Sequence, residues 1–382
     1  MKRLLFLVAK DSYFFSHRLN LGKAAIAAGF EVALATKCST LEKSIRAFGI
    51  QVFPLKHFTR TGLNPFKQIL SLWELYKIYR TFKPDIIHQV ALKPIIYGSF
   101  IARLLSVPRV INALGGLGYL FTERAEPLSK INAIKKSQLQ KLFCFLLRYC
   151  LSKRNSTLIL QNIDDLETLT KLKCVKSNQV VIIPGAGVDM NAFPLAFFPP
   201  FPPIIIMCIS RMLWDKGIRE LVQAAEILQE KKCAAEVWVY GMPDPENPTS
   251  ISVEQLRAWH NSRLITWKGH CEDVALAYAS CHIVALPSYR EGLPKSLLEA
   301  ASCGRPIVTT DVPGCREVAK DGENGLLVPV KDSKELANAL MILCENEALR
   351  TRMGLAGHKR VEKYFSDQII QQQTIRLYNE TP

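Results

Sequence analysis

LPSYREGLPKSLLEAASCGRPIVTTDVPGCREVAKDGENG, residues 286–325, is the most informative part of this sequence. The apolar run HIVALP (282–287) leads into it and predicts a buried strand, which a glycine turn at position 292 then ends. Pro294 suits the first position of a helix, because its φ angle is already helical and an N–H there would have no helical partner. The following KSLLEAASC predicts a helix that turns four residues inward: Leu297, Leu298, Ala301 and Cys303.

Two glutamates in this stretch, Glu291 and Glu299, stand eight positions apart and predict a ligand site. A helix that starts after a glycine turn presents backbone N–H groups and the positive end of its dipole, which together favour a phosphate. Glu291 lies just before this helix start, where its carboxylate can accept hydrogen bonds from sugar hydroxyls. Glu299 is about 12 Å further along the helix, so the two acids cannot share a proton or a metal ion. They can hold opposite ends of one long ligand, with Gly292, Leu293 and Lys295 as further binding candidates.

The block 287–325 resembles the E-x7-E signature of retaining glycosyltransferases with the GT-B fold, of the group 1 (family 4) type. The resemblance implies that Glu291 holds the hydroxyls of the donor sugar at the reaction centre, and that Glu299 holds the ribose of the nucleotide. Five further positions match the downstream pattern of this family: Gly304, Pro306, Gly314, Gly322 and Gly325. The alternative is an ordinary amphipathic helix with solvated acids, because two glutamates eight positions apart are common by chance.

Two cations, Arg211 and Lys216, flank a loop between a predicted strand and a predicted helix in IIIMCISRMLWDKGIRELVQAAEIL (204–228). A diphosphate needs two cations because its charge is concentrated, and arginine can bind phosphate oxygens in a bidentate manner. The R-x4-K pair resembles the cradle that the family builds for the donor diphosphate, which implies a catalytic role for both residues. The alternative is a pair of surface cations. The resemblance also implies that loops near Gly241 and His270 approach the nucleoside of the donor.

The length of 382 residues exceeds that of a usual single core, about 250–300 residues, and predicts two domains. Apolar runs alternate with amphipathic segments in the first half, which predicts a parallel, doubly wound α/β sheet; the runs are 4–9, 31–35, 85–90 and 109–113. The resemblance implies the GT-B fold, with two Rossmann-like domains facing across a cleft. The predicted order is an acceptor-binding domain over 1–190, a proline-rich linker over 191–203, a nucleotide-sugar-binding domain over 204–365, and a terminal helix, 366–382, that packs back on the first domain.

The net charge of +15 is concentrated in one half of the chain. Residues 1–185 hold 28 Lys or Arg against 10 Asp or Glu, whereas residues 186–382 hold 21 against 24. Because no nucleic-acid-binding signature accompanies the basic half, we expect lipid headgroups or a diphosphate-linked acceptor as partners, and no nucleic acid. Two helices mix basic and apolar residues. We predict that 66–83 faces the core with a solvated basic side and that 128–155 lies in an anionic membrane surface; for each helix, the other location is the alternative.

The cysteines and the apolar runs predict the cellular location of the protein. The eleven cysteines include no C-x-x-C pair and no secretory signal is recognisable, which predicts reduced thiols in a cytosolic protein. MKRLLFLVAK (1–10) has too short an apolar run for a signal peptide and predicts a buried first strand. No stretch supplies about 20 uninterrupted apolar residues, so we predict no transmembrane helix. With the basic half, this predicts a cytoplasmic protein that is peripheral on the inner face of the cell membrane.

Several stretches of the first half resemble one subgroup, the bacterial transferases that extend lipid-diphosphate-linked sugars for capsule, O-antigen or protein glycosylation. They are SHRLNL (16–21), RTGLNPFKQ (60–68), HQVALKPIIYG (88–98), INALGGLGYLF (111–121) and LQNIDD (160–165). The acceptor-side candidates in or near these stretches are His17, His88, Lys93, Gly115, Gly116 and Gly118. His88 and Lys93 are expected at the acceptor diphosphate, and the glycines allow the backbone to approach a ligand. A lone histidine is more often a packed or capping residue, which is the alternative for His17 and His88.

One position departs from the wider family. Many relatives have a histidine after the strand equivalent to 109–113, and this chain has Leu114 there, so that general base is absent. A front-face route, in which the leaving diphosphate takes the acceptor proton, stays open. No Asp-x-Asp occurs, so we expect neither a metal ion nor another cofactor. The predicted function is retaining transfer of an N-acetylhexosamine or hexose from a UDP-sugar to a polyprenyl-diphosphate-linked saccharide. A nucleotide-sugar epimerase of similar fold and a non-catalytic nucleic-acid binder are the alternatives.

Overall fold

The protein is described here by a computed structural model that covers residues 1–58, 65–117, 121 and 130–380. Its contacts divide the chain into two compact units, each with its own sheet. The first unit is Met1–Ala186 together with Asp367–Pro382, and the second unit is Gly187–Ser366. The predicted acceptor-side residue Gly118 lies outside the described residues.

The first unit contains a seven-stranded parallel sheet with the strand order β3-β2-β1-β4-β5-β6-β7. The strands are β1 (Arg3–Lys10), β2 (Glu31–Lys37), β3 (Gln51–Pro54), β4 (Ile86–Val90), β5 (Arg109–Ala113), β6 (Ser156–Leu160) and β7 (Val180–Ile182). The helices between them are α1 (Asp11–His17), α2 (Leu19–Ala27), α3 (Glu42–Ala47), α4 (Pro65–Phe82), α5 (Leu92–Leu104), α6 (Lys130–Cys150) and α7 (Ile163–Lys171). β1 is the buried first strand that the sequence predicts.

The second unit contains a six-stranded parallel sheet with the strand order β10-β9-β8-β11-β12-β13. The strands are β8 (Ile204–Ile209), β9 (Ala235–Tyr240), β10 (Thr266–Gly269), β11 (Ile283–Leu286), β12 (Ile307–Thr310) and β13 (Gly325–Val328). The helices are α8 (Ile218–Glu230), α9 (Val253–Asn261), α10 (Val274–Ala279), α11 (Lys295–Ser302), α12 (Cys315–Val318), α13 (Ser333–Glu345) and α14 (Glu347–Tyr364). The last helix of the chain, α15 (Asp367–Asn379), belongs to the first unit.

Both sheets have the strand order of a doubly wound Rossmann domain, in which the order reverses beside the first strand. In the second unit this switch point lies between β8 and β11. Both strands are almost entirely buried, because helices cover the two faces of a parallel sheet. The loops that follow β8 and β11 therefore emerge side by side at the edge where open α/β sheets bind their ligands.

The proline-rich segment does not behave as the separate linker that we predict for 191–203. It belongs to the second unit, as do residues 187–190. Ser302 donates a hydrogen bond to the carbonyl of Phe193, and the buried guanidinium of Arg305 donates to the carbonyls of Ala196 and Phe197. These hydrogen bonds tie the segment to the end of α11 and to the loop between α11 and β12, which the sequence pattern does not reveal.

Helices α4 and α6 each have a core-facing side and an exposed apolar side. The inner side of α4 includes Leu75, Tyr79 and Phe82, as predicted, but the outer side carries exposed apolar residues as well as cations. The core side of α6 includes Phe143 and Leu147, and its outer side exposes three apolar residues: Leu139, Leu142 and Phe145. Within the described residues, no helix combines the length and the apolar character needed to cross a membrane.

The prediction that all cysteines are reduced thiols is wrong for one pair. Cys144 on α6 forms a disulfide with Cys174, which follows α7, and their Cα atoms are 4.5 Å apart. The two residues are 30 positions apart in the sequence, so only the packing of α6 on β6 and α7 brings them together. The other nine cysteines are free.

Candidate active site

The loops that follow β8 and β11 are hydrogen-bonded to each other in the second unit. The carbonyl oxygen of Asp215 accepts hydrogen bonds from the backbone N–H of Tyr289, at 2.9 Å, and from the Ser288 hydroxyl, at 3.1 Å. Gly217 has a φ angle of +70°, and a Cβ atom there would stand 2.0 Å from the carbonyl oxygen of Pro287. Only glycine satisfies both conditions, so this residue fixes how closely the two loops approach.

This approach brings two of the predicted catalytic residues into contact. The Lys216 ammonium donates a hydrogen bond to Oε1 of Glu291, and both side chains are largely buried. An ion pair shielded from water is stronger than one on the surface. The ion pair therefore keeps the Lys216 ammonium near the start of α11. A phosphate bound there would compete with Glu291 for this ammonium.

A third loop, after β12, supports the glycine turn at Gly292. Gly314 has a φ angle of +75°, and a Cβ atom on it would stand 2.4 Å from the carbonyl oxygen of Gly292. The Thr310 hydroxyl donates to the carbonyl of Ser288. Helix α11 begins at Lys295, so Pro294 is the N-cap residue and not the first helical position. The four residues predicted to face inward are buried: Leu297, Leu298, Ala301 and Cys303. The three residues among them are buried as well, so α11 is covered on more than one side.

Glu299 lies on the second turn of α11 and is 8% exposed. The Lys295 ammonium is 3.0 Å from Oε1 of this carboxylate, one helical turn away. Burial raises the pKa of the Glu299 carboxyl above its ordinary value, and the neighbouring Lys295 opposes that shift. Leu293, by contrast, packs against the core of the second unit. The structure therefore pairs each predicted glutamate with its own lysine.

Arg211 has a different partner from Lys216. Its guanidinium is 2.9 Å from a carboxylate oxygen of Asp244, and half of its side-chain surface is exposed. Sequence reasoning did not identify Asp244. Its position could have been noticed because it is an acid on the loop that directly follows β9. Gly241 begins this loop with a φ angle of +140°, and a Cβ atom there would stand 1.7 Å from the carbonyl oxygen of Ser210. His270 is exposed, directly after β10.

In the described part of the chain, no group of three or more His, Cys, Asp or Glu side chains is arranged to hold a metal ion. Whether the reaction uses a metal stays a prediction from the sequence, which lacks an Asp-x-Asp motif.

In the first unit, the structure places two acceptor-side candidates near a tyrosine. His17 is the last residue of α1, where its ring stacks on Tyr13 with centroids 4.3 Å apart, and its Nδ1 is 2.7 Å from the Ser16 hydroxyl. A Cβ atom on Gly115 would stand 3.7 Å from the Tyr13 hydroxyl and 3.8 Å from Nε2 of Gln161. Sequence reasoning did not identify Tyr13 or Gln161. These residues follow β1, β5 and β6, so all lie at the carboxyl edge of the sheet.

His88 is a correction to the predicted acceptor contacts. Its side chain is fully buried, and its Nδ1 is hydrogen-bonded to the Tyr378 hydroxyl of α15. Burial, and to a lesser extent the nearby Arg18, hold the pKa of His88 well below its ordinary value of 6.5. A fully enclosed side chain cannot touch a diphosphate, so this histidine supports the packing of α15. All five residues of β4 are buried, and His88 contacts α15 through Tyr378, which the sequence alone does not show.

Lys93 stays a candidate for the acceptor. It lies in the first turn of α5, with its ammonium 5.2 Å from the ring centroid of Phe58 and 5.4 Å from that of Tyr97, and partial burial lowers its pKa. The residue before this helix, Ala91, has a φ angle of +78°, which is unusual for a residue with a side chain. Strain of this kind is often found at functional sites. Gly116 has a φ angle of +122°.

Two protein families match separate parts of the chain. Residues 203–346 match the family described as glycosyl transferases group 1, and residues 3–162 match the family described as glycosyl transferase 4-like. The chain is a glycosyltransferase. The predicted family and the predicted class of enzyme are thereby confirmed.

Two curated relatives cover most of the transferase. One is the N,N'-diacetylbacillosaminyl-diphospho-undecaprenol alpha-1,3-N-acetylgalactosaminyltransferase of Campylobacter jejuni, which is 26% identical over 99% of this chain and 98% of its own. The other is the UDP-Gal:alpha-D-GlcNAc-diphosphoundecaprenol alpha-1,3-galactosyltransferase of Escherichia coli, 24% identical over 81% of this chain and 77% of its own. Both are transferases, and the comparisons give the epimerase alternative no support.

A solved structure supports the fold of the transferase. HepE of Anabaena, determined in complex with UDP and glucose, is 17% identical, covers 99% of both chains and has a TM-score of 0.74. At this identity the likeness shows the fold alone. Together with the two Rossmann-like sheets, it confirms the predicted GT-B fold class. Leu114, at the position where the family resemblance leads us to expect a histidine, is buried in the core and offers no base.

Proposed function

We propose that this transferase moves an N-acetylhexosamine or a hexose from a UDP-sugar to a polyprenyl-diphosphate-linked saccharide in bacterial surface polysaccharide or glycan assembly. The observation that carries the proposal is the contact between Lys216 and Glu291 beside the start of α11, with the buried Glu299 on the same helix. The relatives add support. The C. jejuni and E. coli enzymes are named for undecaprenyl-diphosphate-linked acceptors, the E. coli enzyme is named for UDP-Gal, and HepE was solved with UDP and glucose.

In the proposed reaction, the bond between the anomeric carbon of the donor and the UDP oxygen breaks while an acceptor hydroxyl bonds to that carbon on the same face. The acceptor proton passes to an oxygen of the leaving diphosphate, because Leu114 supplies no base. Lys216, Arg211 and the N–H groups at the start of α11 stabilise the charge that develops on UDP. This is preorganised electrostatic catalysis, for which no metal ion or other cofactor is needed.

The two glutamates would hold the ends of the donor. Glu291, which lies directly before Gly292, accepts hydrogen bonds from the sugar hydroxyls when Lys216 turns towards the phosphates. Glu299 accepts hydrogen bonds from the ribose. Hydrogen bonds to a charged acceptor contribute about 1.5–3 kcal/mol each, which is enough to select a nucleotide sugar over a free sugar phosphate.

The acceptor side of the proposal rests on the first unit. Residues 1–185, which make up most of it, have an excess of 18 positive charges, and this field attracts both a diphosphate-linked acceptor and an anionic membrane. Lys93 at the start of α5 and the region around His17, Gly115 and Gly116 are the proposed acceptor contacts. The transferase would then work as a peripheral protein on the inner face of the cell membrane.

A UDP-release screen tests this function. UDP-sugars would be incubated with the purified protein, with and without a polyprenyl-diphosphate-linked sugar, and released UDP would be measured. We expect release from one or two donors only when the acceptor is present, and an α-linked product from an α-linked donor by NMR. Conversion of the donor into another nucleotide sugar without acceptor would instead establish the epimerase. Loss of activity in EDTA that a divalent cation restores would contradict the proposal that the reaction needs no metal ion.

A further inference from the structure

The outer side of α4 carries a row of exposed apolar side chains that the proposed reaction does not use. Phe66, Ile69, Leu70 and Trp73 expose 79%, 64%, 42% and 53% of their surface, and we call them the outer stripe of α4. Their spacing of three and four places them on one face of the helix. Exposed apolar side chains grouped on one helix face commonly mark an interaction surface.

The stripe is part of a layer of three helices. Tyr97 of α5 donates a hydrogen bond to Gln68 of α4 at 2.8 Å, and Arg103 of α5 donates to the carbonyl of Tyr149 of α6 at 2.9 Å. The outer sides of α5 and α6 add five further exposed apolar residues: Phe100, Leu104, Leu139, Leu142 and Phe145. All three helices of this layer therefore carry exposed apolar side chains.

The charge on these helices identifies the partner. Together they contain ten Lys or Arg residues and a single acid, Glu74. The carboxylate of Glu74 accepts hydrogen bonds from the backbone N–H groups of Lys56 and His57, so it is engaged with the segment after β3. Lys77 lies over the ring of Trp73, with its ammonium 5.1 Å from the ring centroid. Apolar and aromatic side chains among cations fit the interface of an anionic bilayer, where the rings enter the acyl boundary and the cations reach the headgroups.

We infer that the outer stripe of α4 docks the protein on an anionic lipid bilayer by inserting Ile69 and Trp73 into it, with the outer sides of α5 and α6 lying along the headgroups. This assigns the main apolar contact to α4, not to the more basic α6 that the sequence favours. The inference deepens the membrane part of the proposed function. Because its test uses vesicles without donor or acceptor, it can fail while the transfer reaction stands.

Co-sedimentation with two kinds of vesicle measures the docking. We expect binding to phosphatidylcholine vesicles that contain phosphatidylglycerol, and much weaker binding to phosphatidylcholine alone. The variant I69S/W73S should partition about tenfold less onto the anionic vesicles, because two apolar side chains no longer insert. The matched control I342S/L355S removes two exposed apolar side chains from the second unit and should bind like the wild type. Wild-type binding by I69S/W73S, or an equal loss in the control, would overturn the inference.

Tryptophan quenching shows which residue inserts. The other four tryptophans, at positions 214, 238, 259 and 267, belong to the second unit, so anionic vesicles with brominated acyl chains should quench mainly Trp73. W73F should keep most of the binding and lose most of the quenching, whereas quenching that persists in W73F would overturn the insertion.

Sedimentation equilibrium tests the other occupant, a second copy of the chain. A wild-type dimer that I69S/W73S converts to a monomer, with vesicle binding unchanged, would replace the membrane as the partner.

Discussion

Gly217 lies against Pro287 so closely that a Cβ atom on the glycine would stand 2.0 Å from the proline carbonyl oxygen. The two residues belong to the loops that follow β8 and β11, which join again where Asp215 accepts hydrogen bonds from Ser288 and Tyr289. The contact between Lys216 and Glu291 depends on this approach, because each residue lies within a few positions of the junction.

Gly217→Ala should therefore separate the two loops and lower both stability and activity. The added methyl group meets backbone that cannot move away freely, and the left-handed φ angle of +70° adds a further cost. We expect a loss of about 3 kcal/mol in the free energy of unfolding, measured by urea denaturation, together with a large loss of transfer rate.

Gly322→Ala is the matched control for this substitution. Gly322 has nearly the same φ angle, +73°, but nothing lies within 4 Å of the position of its Cβ atom. Gly322→Ala should therefore lower the free energy of unfolding by only about 1–2 kcal/mol, the cost of the left-handed backbone. It should leave the transfer rate of the folded protein unchanged. Equal losses in the two variants would show that the closeness of the loops does not matter.

Lys216→Ala should slow turnover on the order of 100-fold, because the leaving diphosphate loses one charged donor in the transition state. The measurement is kcat for UDP release at saturating donor and acceptor. Lys334→Ala removes an exposed lysine from the first turn of α13 and should leave kcat unchanged. Near-normal turnover in the Lys216 variant would remove this residue from the mechanism.

The pairing of Lys216 with Glu291 adds a second measurement. Removing the lysine leaves a largely buried carboxylate without this cation, which costs stability as well as rate. The double variant Lys216→Ala, Glu291→Gln should therefore recover stability relative to Lys216→Ala while staying slow. Free energies of unfolding that simply add across the two substitutions would contradict the coupling.

The sequence predicts many residues of this site, because the glycines, acids and cations of each loop lie close together in the sequence. The E-x7-E block and the R-x4-K pair are recognised by their resemblance to the family, whereas the helix α11 is predicted from Pro294 and the apolar residues that follow it. The partners of these residues cannot be predicted in this way, because Lys216 meets Glu291 and Arg211 meets Asp244 only after β8, β9 and β11 are placed side by side.

The fold shows the same division. The buried strands of a parallel sheet are nearly continuous apolar runs, so β1, β5 and β8 are recognisable in the sequence. Burial of a polar residue such as His88, and exposure of an apolar one such as Trp73, depend on which neighbours the packing supplies. Two sequence predictions failed for this reason, that of the acceptor contact of His88 and that of a purely basic outer side of α4.

Glu299→Gln should weaken donor binding without weakening the fold. The neutral amide loses the strong hydrogen bonds of a carboxylate to the ribose, so the Kd for UDP should rise about tenfold or more, measured by calorimetry. An unchanged Kd would contradict the ribose role. Lys334→Ala again serves as the control for the binding measurement.

The same variant has a signature in the pH dependence of stability. Burial raises the pKa of the Glu299 carboxyl above its ordinary value of 4.5, so the folded state holds the proton more tightly than the unfolded chain. Stability is therefore lost as pH rises from the unfolded to the folded pKa of this group. Glu299→Gln should abolish that loss and be at least as stable as the wild type at neutral pH. A variant that melts lower than the wild type at neutral pH would show that the charged form stabilises the fold.

His88→Gln tests whether His88 supports α15. Burial holds the pKa of the histidine well below 6.5, so the folded state keeps it neutral while the unfolded chain takes up a proton. Stability should therefore fall as pH drops below about 6.5, and His88→Gln should reduce this fall. The measurement is the difference in the free energy of unfolding between pH 7.5 and pH 5.5. Tyr378→Phe, which removes the hydrogen bond but keeps the histidine, should lower stability at both values, by about 1–3 kcal/mol, and retain the pH dependence. A rise in the acceptor KM of His88→Gln, with unfolding like that of the wild type at both pH values, would instead return this residue to the acceptor site.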